Sequence, residues 1–229
     1  MSAHFQREIS KLKQQVMSLC TLVEGQVEKA VRAVQLRDDE LAAEVERLDE
    51  EIDLREIEVE EECLKTLALY QPVAVDLRFV VSTLKINHDL ERIGDLAVNI
   101  ARKVRGLAFD PPPGLTRDLG LMCEKTQCLL RDSIDSLVNL NAAEAASICT
   151  RDDEIDQMKA TIRQEIETAI RQQPDKVGSL LRLLAVSRNL ERIADLATSI
   201  AEDVVYLVEG RIMRHPTLTA AREGTVNGG

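Results

Sequence analysis

Aromatic side chains are nearly missing from this chain: they make up 2% of its 229 residues, and tryptophan is absent. A core without rings has to be assembled from Leu, Ile, Val and Ala, which suits packed helices better than a β-sandwich or barrel. Proline and glycine are also scarce, at 6 and 10 residues. The breakers are concentrated at Pro72, Pro111-Pro112-Pro113-Gly114, Pro174 and Pro216, and the stretches between them are too long and too periodic to be strands. No run of about 20 apolar residues is present to span a membrane. The opening Met1-Ser2-Ala3-His4-Phe5-Gln6-Arg7-Glu8 has no apolar segment of signal-peptide type, so a cytoplasmic protein is expected. Five cysteines (Cys20, Cys63, Cys123, Cys128, Cys149) include no C-x-x-C pair, which argues against a disulfide framework and a zinc site and leaves buried apolar filler as their expected role.

Positive charge is in deficit too. With 29 Lys and Arg against 40 Asp and Glu, the net charge is -11 and the pI about 4.9, so a phosphate backbone would be repelled and nucleic acid is not an expected partner. There is no phosphate-cradling P-loop, no G-x-S-x-G elbow and no Cys/His nucleophile pair, and three histidines are too few for the Glu-x-x-His pairs of a di-iron bundle.

What is present is an internal duplication. Leu90-Glu91-Arg92-Ile93-Gly94-Asp95-Leu96-Ala97-Val98-Asn99-Ile100-Ala101 returns one hundred positions later as Leu190-Glu191-Arg192-Ile193-Ala194-Asp195-Leu196-Ala197-Thr198-Ser199-Ile200-Ala201. Asp49-Glu50-Glu51-Ile52-Asp53 is echoed by Asp152-Asp153-Glu154-Ile155-Asp156 at an offset of 103. The expected fold is all-α: two tandem three-helix bundles, with helices at about 4–36, 39–69 and 73–108, then 115–141, 143–171 and 175–210. The first bundle should occupy 1–110 and the second 111–212, with the triple proline as a stiff extended spacer and 213–229 as a frayed tail. Ile86, Leu90, Ile93, Ala97, Ile100, Val104 and Leu107 recur at spacings of four and three, a bundle seam, and Val186, Leu190, Ile193, Ala197, Ile200, Val204 and Leu207 repeat it.

Relative to that seam, Glu91 falls one residue past it and Asp95 near the far side, and Glu191 and Asp195 do the same. Asp49 and Asp53 flank their helix after Leu48 and Ile52. Carboxylates four apart stack about 6 Å apart along one face, so two such helices side by side offer four negative charges to one spot. A hard cation relieves that repulsion, and oxygen-only ligands favour Mg²⁺, Ca²⁺, Mn²⁺ or Fe³⁺, with Zn²⁺ as a further candidate. A solvated acidic face, offset by Arg92 and Arg192, is the plainer alternative for either copy alone. Outer-face residues have no packing reason of their own to match between copies, which favours a shared external function. His88 lies one turn before Glu91, but its counterpart is Arg188.

Gln71-Pro72-Val73-Ala74-Val75-Asp76-Leu77-Arg78, followed by Leu90-Glu91-Arg92-Ile93-Gly94-Asp95 and Asn99-Ile100-Ala101, resembles the signature of the PhoU proteins, accessory regulators of bacterial phosphate uptake. The resemblance extends from about Leu12 to about Glu209. It implies metal ions or multinuclear clusters (Fe, Mn, Mg or Zn) held on the surface by Asp49, Asp53, Glu91 and Asp95 in one half and by Asp152, Asp156, Glu191 and Asp195 in the other. It also implies a non-catalytic, homodimeric repressor of phosphate uptake and of the phosphate-starvation response. Such a protein would couple the ATPase component of a phosphate ABC transporter to a sensor histidine kinase at the inner membrane. Ala194, Ser199 and the Pro174-Asp175-Lys176 entry depart from the pattern in the second copy. A metal-dependent hydrolase and a purely structural helical scaffold are the readings from other classes.

Overall fold

The computed structural model describes residues 3–107 and 110–213, with the side chains of Ala3 and Asp152 left aside. The tail expected at 213–229 therefore falls, beyond Met213, outside the described residues. The chain folds into helices α1 (Ala3–Leu36), α2 (Asp39–Tyr70), α3 (Ala74–Val104), α4 (Pro113–Val138), α5 (Ala142–Ile148), α6 (Asp152–Gln172) and α7 (Val177–Glu209), and no strand occurs among the described residues. The fold is the expected all-α pair of three-helix bundles, built on six long helices and the short α5.

Local chemistry explains the boundaries. Asp38 caps α2, its Oδ1 accepting the backbone N–H groups of Glu40 and Leu41, both at 2.9 Å. Gln71 closes α2 in the left-handed region (φ 45°) and donates its N–H to Leu67 O, after which Pro72 forbids continuation. The triple proline behaves differently from the expected spacer. Pro113 opens α4, a position where its missing N–H costs nothing, so only the residues just before it are extended.

The helix expected as continuous over 143–171 is in two pieces, divided at Cys149–Arg151. Ser147 Oγ donates to Glu144 O (2.7 Å), Cys149 Sγ to Ala145 O (3.3 Å) and Thr150 Oγ1 to Ser147 O (2.9 Å). Such side chains offer the backbone an alternative to its own ladder, and a run of them ends the helix. Arg151 then pairs with Asp132 at 2.5 Å, and α6 begins anew.

All fourteen seam residues are buried, and they belong to one apolar core that runs through both halves. Each fully buried aliphatic side chain on that seam contributes about 1.5–3 kcal/mol. The halves stack rather than stand apart. α3 packs along α7 as its principal neighbour, and α1 packs on α4. The two long helices run antiparallel: Lys85 pairs with Asp203 at 3.3 Å, Arg182 donates to Arg105 O at 3.4 Å, and Gly210 lies beside Arg78. As numbers rise along α3 their partners fall along α7, so an approximate two-fold relates the bundles and the repeated motifs meet at its centre.

Candidate metal site and its counterpart

In the first half, Asp53 and Asp95 are exposed, while Asp49 and Glu91 are half-buried between α2 and α3. Val45, Ile52 and Val59 bury one face of α2, and Leu90, Ile93 and Ala97 bury the opposing face of α3. The acidic residues consequently line the groove where the helices meet solvent. Their fields overlap. Burial pushes the Asp49 carboxyl above its ordinary value, the Gln26 amide pulls it back, and the charges of Asp53 and Asp95 push it up again. Burial likewise raises Glu91, followed by Asp95, with His88 opposing and Glu56 and Asp53 adding to the rise. Five carboxylates thus share one patch, and Glu56, raised by burial and by Glu60, is one of them.

Two buried amides hold this patch in place. Gln26, fully buried on α1, donates through Nε2 to Val45 O (3.1 Å) and to Asp49 Oδ1 (3.2 Å). Asn87, buried on α3, donates to Glu56 O (2.9 Å) and Glu56 Oε1 (3.2 Å). Gly94 makes room for Gln26, since a Cβ there would lie 3.0 Å from Gln26 Oε1. The donor set is oxygen only and suits a hard cation. Among the described residues, though, no three His, Cys, Asp or Glu side chains already converge on one point.

The second half is built differently. The side chain of Asp152 is outside the described residues. Asp156 is exposed and Glu191 is half-buried, and Lys159 bonds to both, at 3.1 Å to Asp156 Oδ1 and 2.6 Å to Glu191 Oε1. Lys159, Arg163, Arg188, Arg192 and Asp195 line a groove of about 860 Å³ between α6 and α7. Across the molecular two-fold, Arg92, Asp95 and Asn99 share a cavity of about 270 Å³ with Arg192 and Asp195. Arg92 and Asp95 and their counterparts Arg192 and Asp195 are exposed and face one another across the two-fold where α3 runs along α7. His88 is exposed, as its Arg188 counterpart suggests.

The PhoU domain matches this sequence twice, at residues 16–104 and 119–204. The chain belongs to the PhoU family. It is 36% identical over 209 residues to a phosphate-specific transport system accessory protein PhoU homolog of Aquifex aeolicus, covering 91% of this chain and 95% of that one. A Pseudomonas putida homolog of the same description is 36% identical over 231 residues, covering 98% and 89% of the two chains. Among solved structures, the crystal structure of PhoU from Pseudomonas aeruginosa superposes with a TM-score of 0.87 at 33% identity, covering 90% of this chain and all of that one. The phosphate transport system regulatory protein PhoU from Streptococcus pneumoniae gives 0.81 at 29% identity, covering 91% and 99%. Both similarities span the two bundles, so the tandem arrangement is that of PhoU structures.

Sequence reasoning missed Gln26, Glu56 and Lys159. Glu56 and Lys159 were within reach, because the 103-residue register that pairs Asp53 with Asp156 pairs them three positions further on. Nothing in the sequence singles out Gln26, one of several glutamines on α1. The cysteines divide as well: Cys20, Cys63 and Cys123 are buried filler as expected, whereas Cys128 is exposed and Cys149 half-exposed.

Proposed function

We propose that this chain is a regulator of phosphate uptake that represses the phosphate-starvation response when phosphate is plentiful. It works as a cytoplasmic, non-catalytic adapter between the ATPase component of a phosphate ABC transporter and a sensor histidine kinase. The observation that carries this reading is similarity over nine-tenths of the chain to proteins named as accessory to phosphate-specific transport. Among the described residues no helix is long and apolar enough to cross a membrane, so membrane partners would be met from the side. Residues 1–110 and 111–212 are the two bundle units of this adapter.

A docking function needs surface, and α2 supplies it. Leu54, Ile57, Leu64 and Leu69 are exposed along α2, and Val73, Val75 and Leu77 continue the apolar strip past Pro72. Exposed apolar side chains interspersed with charge, here Glu50, Glu51, Glu58, Glu60 and Glu61, suit contact with partners or with a second copy in a homodimer. In the first half Asp49, Asp53, Glu91 and Asp95, joined by Glu56, would hold a hard cation such as Mg²⁺, Mn²⁺ or iron. When bound, that ion neutralises the patch and offers open positions to acceptor groups of a partner. The half-burial of Asp49 and Glu91, which raises the cost of leaving their charges unmatched, supports that assignment.

Deleting the gene and measuring phosphate uptake together with a phosphate-regulated reporter tests the function. Uptake and reporter expression should both rise in phosphate-rich medium. Unchanged values of both would defeat the reading.

A further inference from the structure

The two copies can be laid on each other residue by residue. Buried positions Ile52, Val59, Cys63 and Thr66 on α2 match buried Ile155, Ile162, Ile166 and Ala169 on α6, each pair 103 apart. The same offset relates Leu19, Cys20 and Val27 on α1 to Met122, Cys123 and Leu130 on α4, all buried. In this register Glu56 corresponds to Lys159, Glu60 to Arg163 and Gln26 to Leu129, while His88 corresponds to Arg188 at the offset of 100. Two acidic positions of the first copy and one histidine are therefore basic in the second, where the added positive charge offsets the motif carboxylates.

The replacements act at the same place. In the first copy Asn87 ties Glu56 into a patch of carboxylates that raise one another's pKa. In the second copy the residue at that position is an ammonium bonded to two of the three motif carboxylates whose side chains the structure describes, Asp156 and Glu191, while Asp195 lines the same groove. Gln26, whose amide holds Asp49, gives way to Leu129, which has no polar atom to offer.

We propose that Lys159 stands in the second copy where a cation stands in the first, so that metal loads on the first half alone. This rests on the metal reading given above for the first half. A divalent ion arriving at Asp156 and Glu191 must displace an ammonium already in contact with both, in a groove also lined by Arg163, Arg188 and Arg192.

The test is Mn²⁺ binding, read from the electron paramagnetic resonance signal of the unbound ion, with circular dichroism as the check on folding. Lys159 is one-third exposed, so its substitution leaves the core untouched. Wild type and Glu191→Gln should bind equal amounts of Mn²⁺, and the Asp53→Asn/Glu91→Gln double variant should bind almost none. Lys159→Glu, which rebuilds the residue of the first copy, should double the Mn²⁺ bound, and Lys159→Gln should also exceed wild type. A halving of bound Mn²⁺ in Glu191→Gln would overturn the proposal while leaving the first-half reading intact. No gain in either Lys159 variant would overturn it as well. If wild type binds no Mn²⁺ while Lys159→Glu binds it, the first-half reading fails and the role of Lys159 stands.

Discussion

Gly94→Ala asks how tightly the first patch is braced from beneath, and the chain already carries the product at Ala194. On an unobstructed helix the change would stabilise by about 1 kcal/mol, because glycine loses more backbone freedom on folding than alanine. At position 94 the new Cβ would meet Ile52 Cγ2 at 3.4 Å and Cδ1 at 3.6 Å, which is ordinary contact, and Gln26 Oε1 at 3.0 Å, which is not. The sign therefore depends on whether Gln26 can yield. Its side chain is fully buried and its amide holds Val45 O and Asp49 Oδ1, so retreat breaks bonds worth about 1 kcal/mol each. Setting the propensity gain against two such bonds leaves Gly94→Ala destabilising by about 1 kcal/mol. In a Gln26→Leu background, the residue found at Leu129, the obstruction is gone and the same change should stabilise by up to about 1 kcal/mol. The coupling in the double-mutant cycle is then about 2 kcal/mol, measurable from urea unfolding followed by circular dichroism. Equal stabilisation by Gly94→Ala in both backgrounds would refute the reasoning, because it would mean that Gln26 is not held.

Glu62 gives a second test: burial alone would raise its carboxyl, but hydrogen bonds from Lys11 (2.6 Å) and Lys65 (3.0 Å) outweigh burial and bring its pKa down to about 2. A pKa lowered on folding gives stability that is present above the unfolded value and is lost as pH falls toward about 2, so Glu62→Gln should cost about 1–3 kcal/mol at pH 7 and flatten the acid limb of the stability curve. Asp49 and Glu91 act with the opposite sign: their pKa values are raised, so without a divalent cation they lower stability as pH climbs through the raised values, and Asp49→Asn/Glu91→Gln should remove that loss in a series of thermal melts. Cation at one hundred times its Kd should stabilise wild type by about 2.7 kcal/mol and leave that double variant unmoved, and an equal upward shift of Tm in both proteins would dismiss the patch as a metal site. Cys128 should react with a thiol reagent in the native protein well ahead of Cys20, Cys63 and Cys123, because burial pushes those three up to about 12 and keeps them as thiols until unfolding, as mass spectrometry of labelled peptides would show.

How much of this was legible follows from what periodicity records. The spacing of Ile86 through Leu107 and of its repeat reports each helix's own apolar face, so the helices, the seam and the flank positions of the acidic pairs could be read directly. Periodicity does not say which second face meets another bundle. Leu96 is buried on α3 although it lies off the seam, because α7 covers a second side of that helix, where Leu96 meets the cavity shared with Leu196 and Lys85 pairs with Asp203. The division at Cys149–Arg151 was hidden for another reason. Ser, Cys and Thr are each tolerated within helices, and only their succession, each bonding back to a carbonyl, ends one. The half-burial of Asp49 depends on Gln26 from a helix distant in sequence, which no local pattern reveals.

The antiparallel stacking of α3 on α7 gives one polypeptide the internal symmetry of a dimer made from two identical short chains. In such a dimer every substitution appears twice, so a change that suits one face is imposed on the other. Joining the two units into a single chain lifts that constraint: one flank can gain basic residues among its carboxylates while its twin stays acidic, and the shared apolar middle goes on holding both in register.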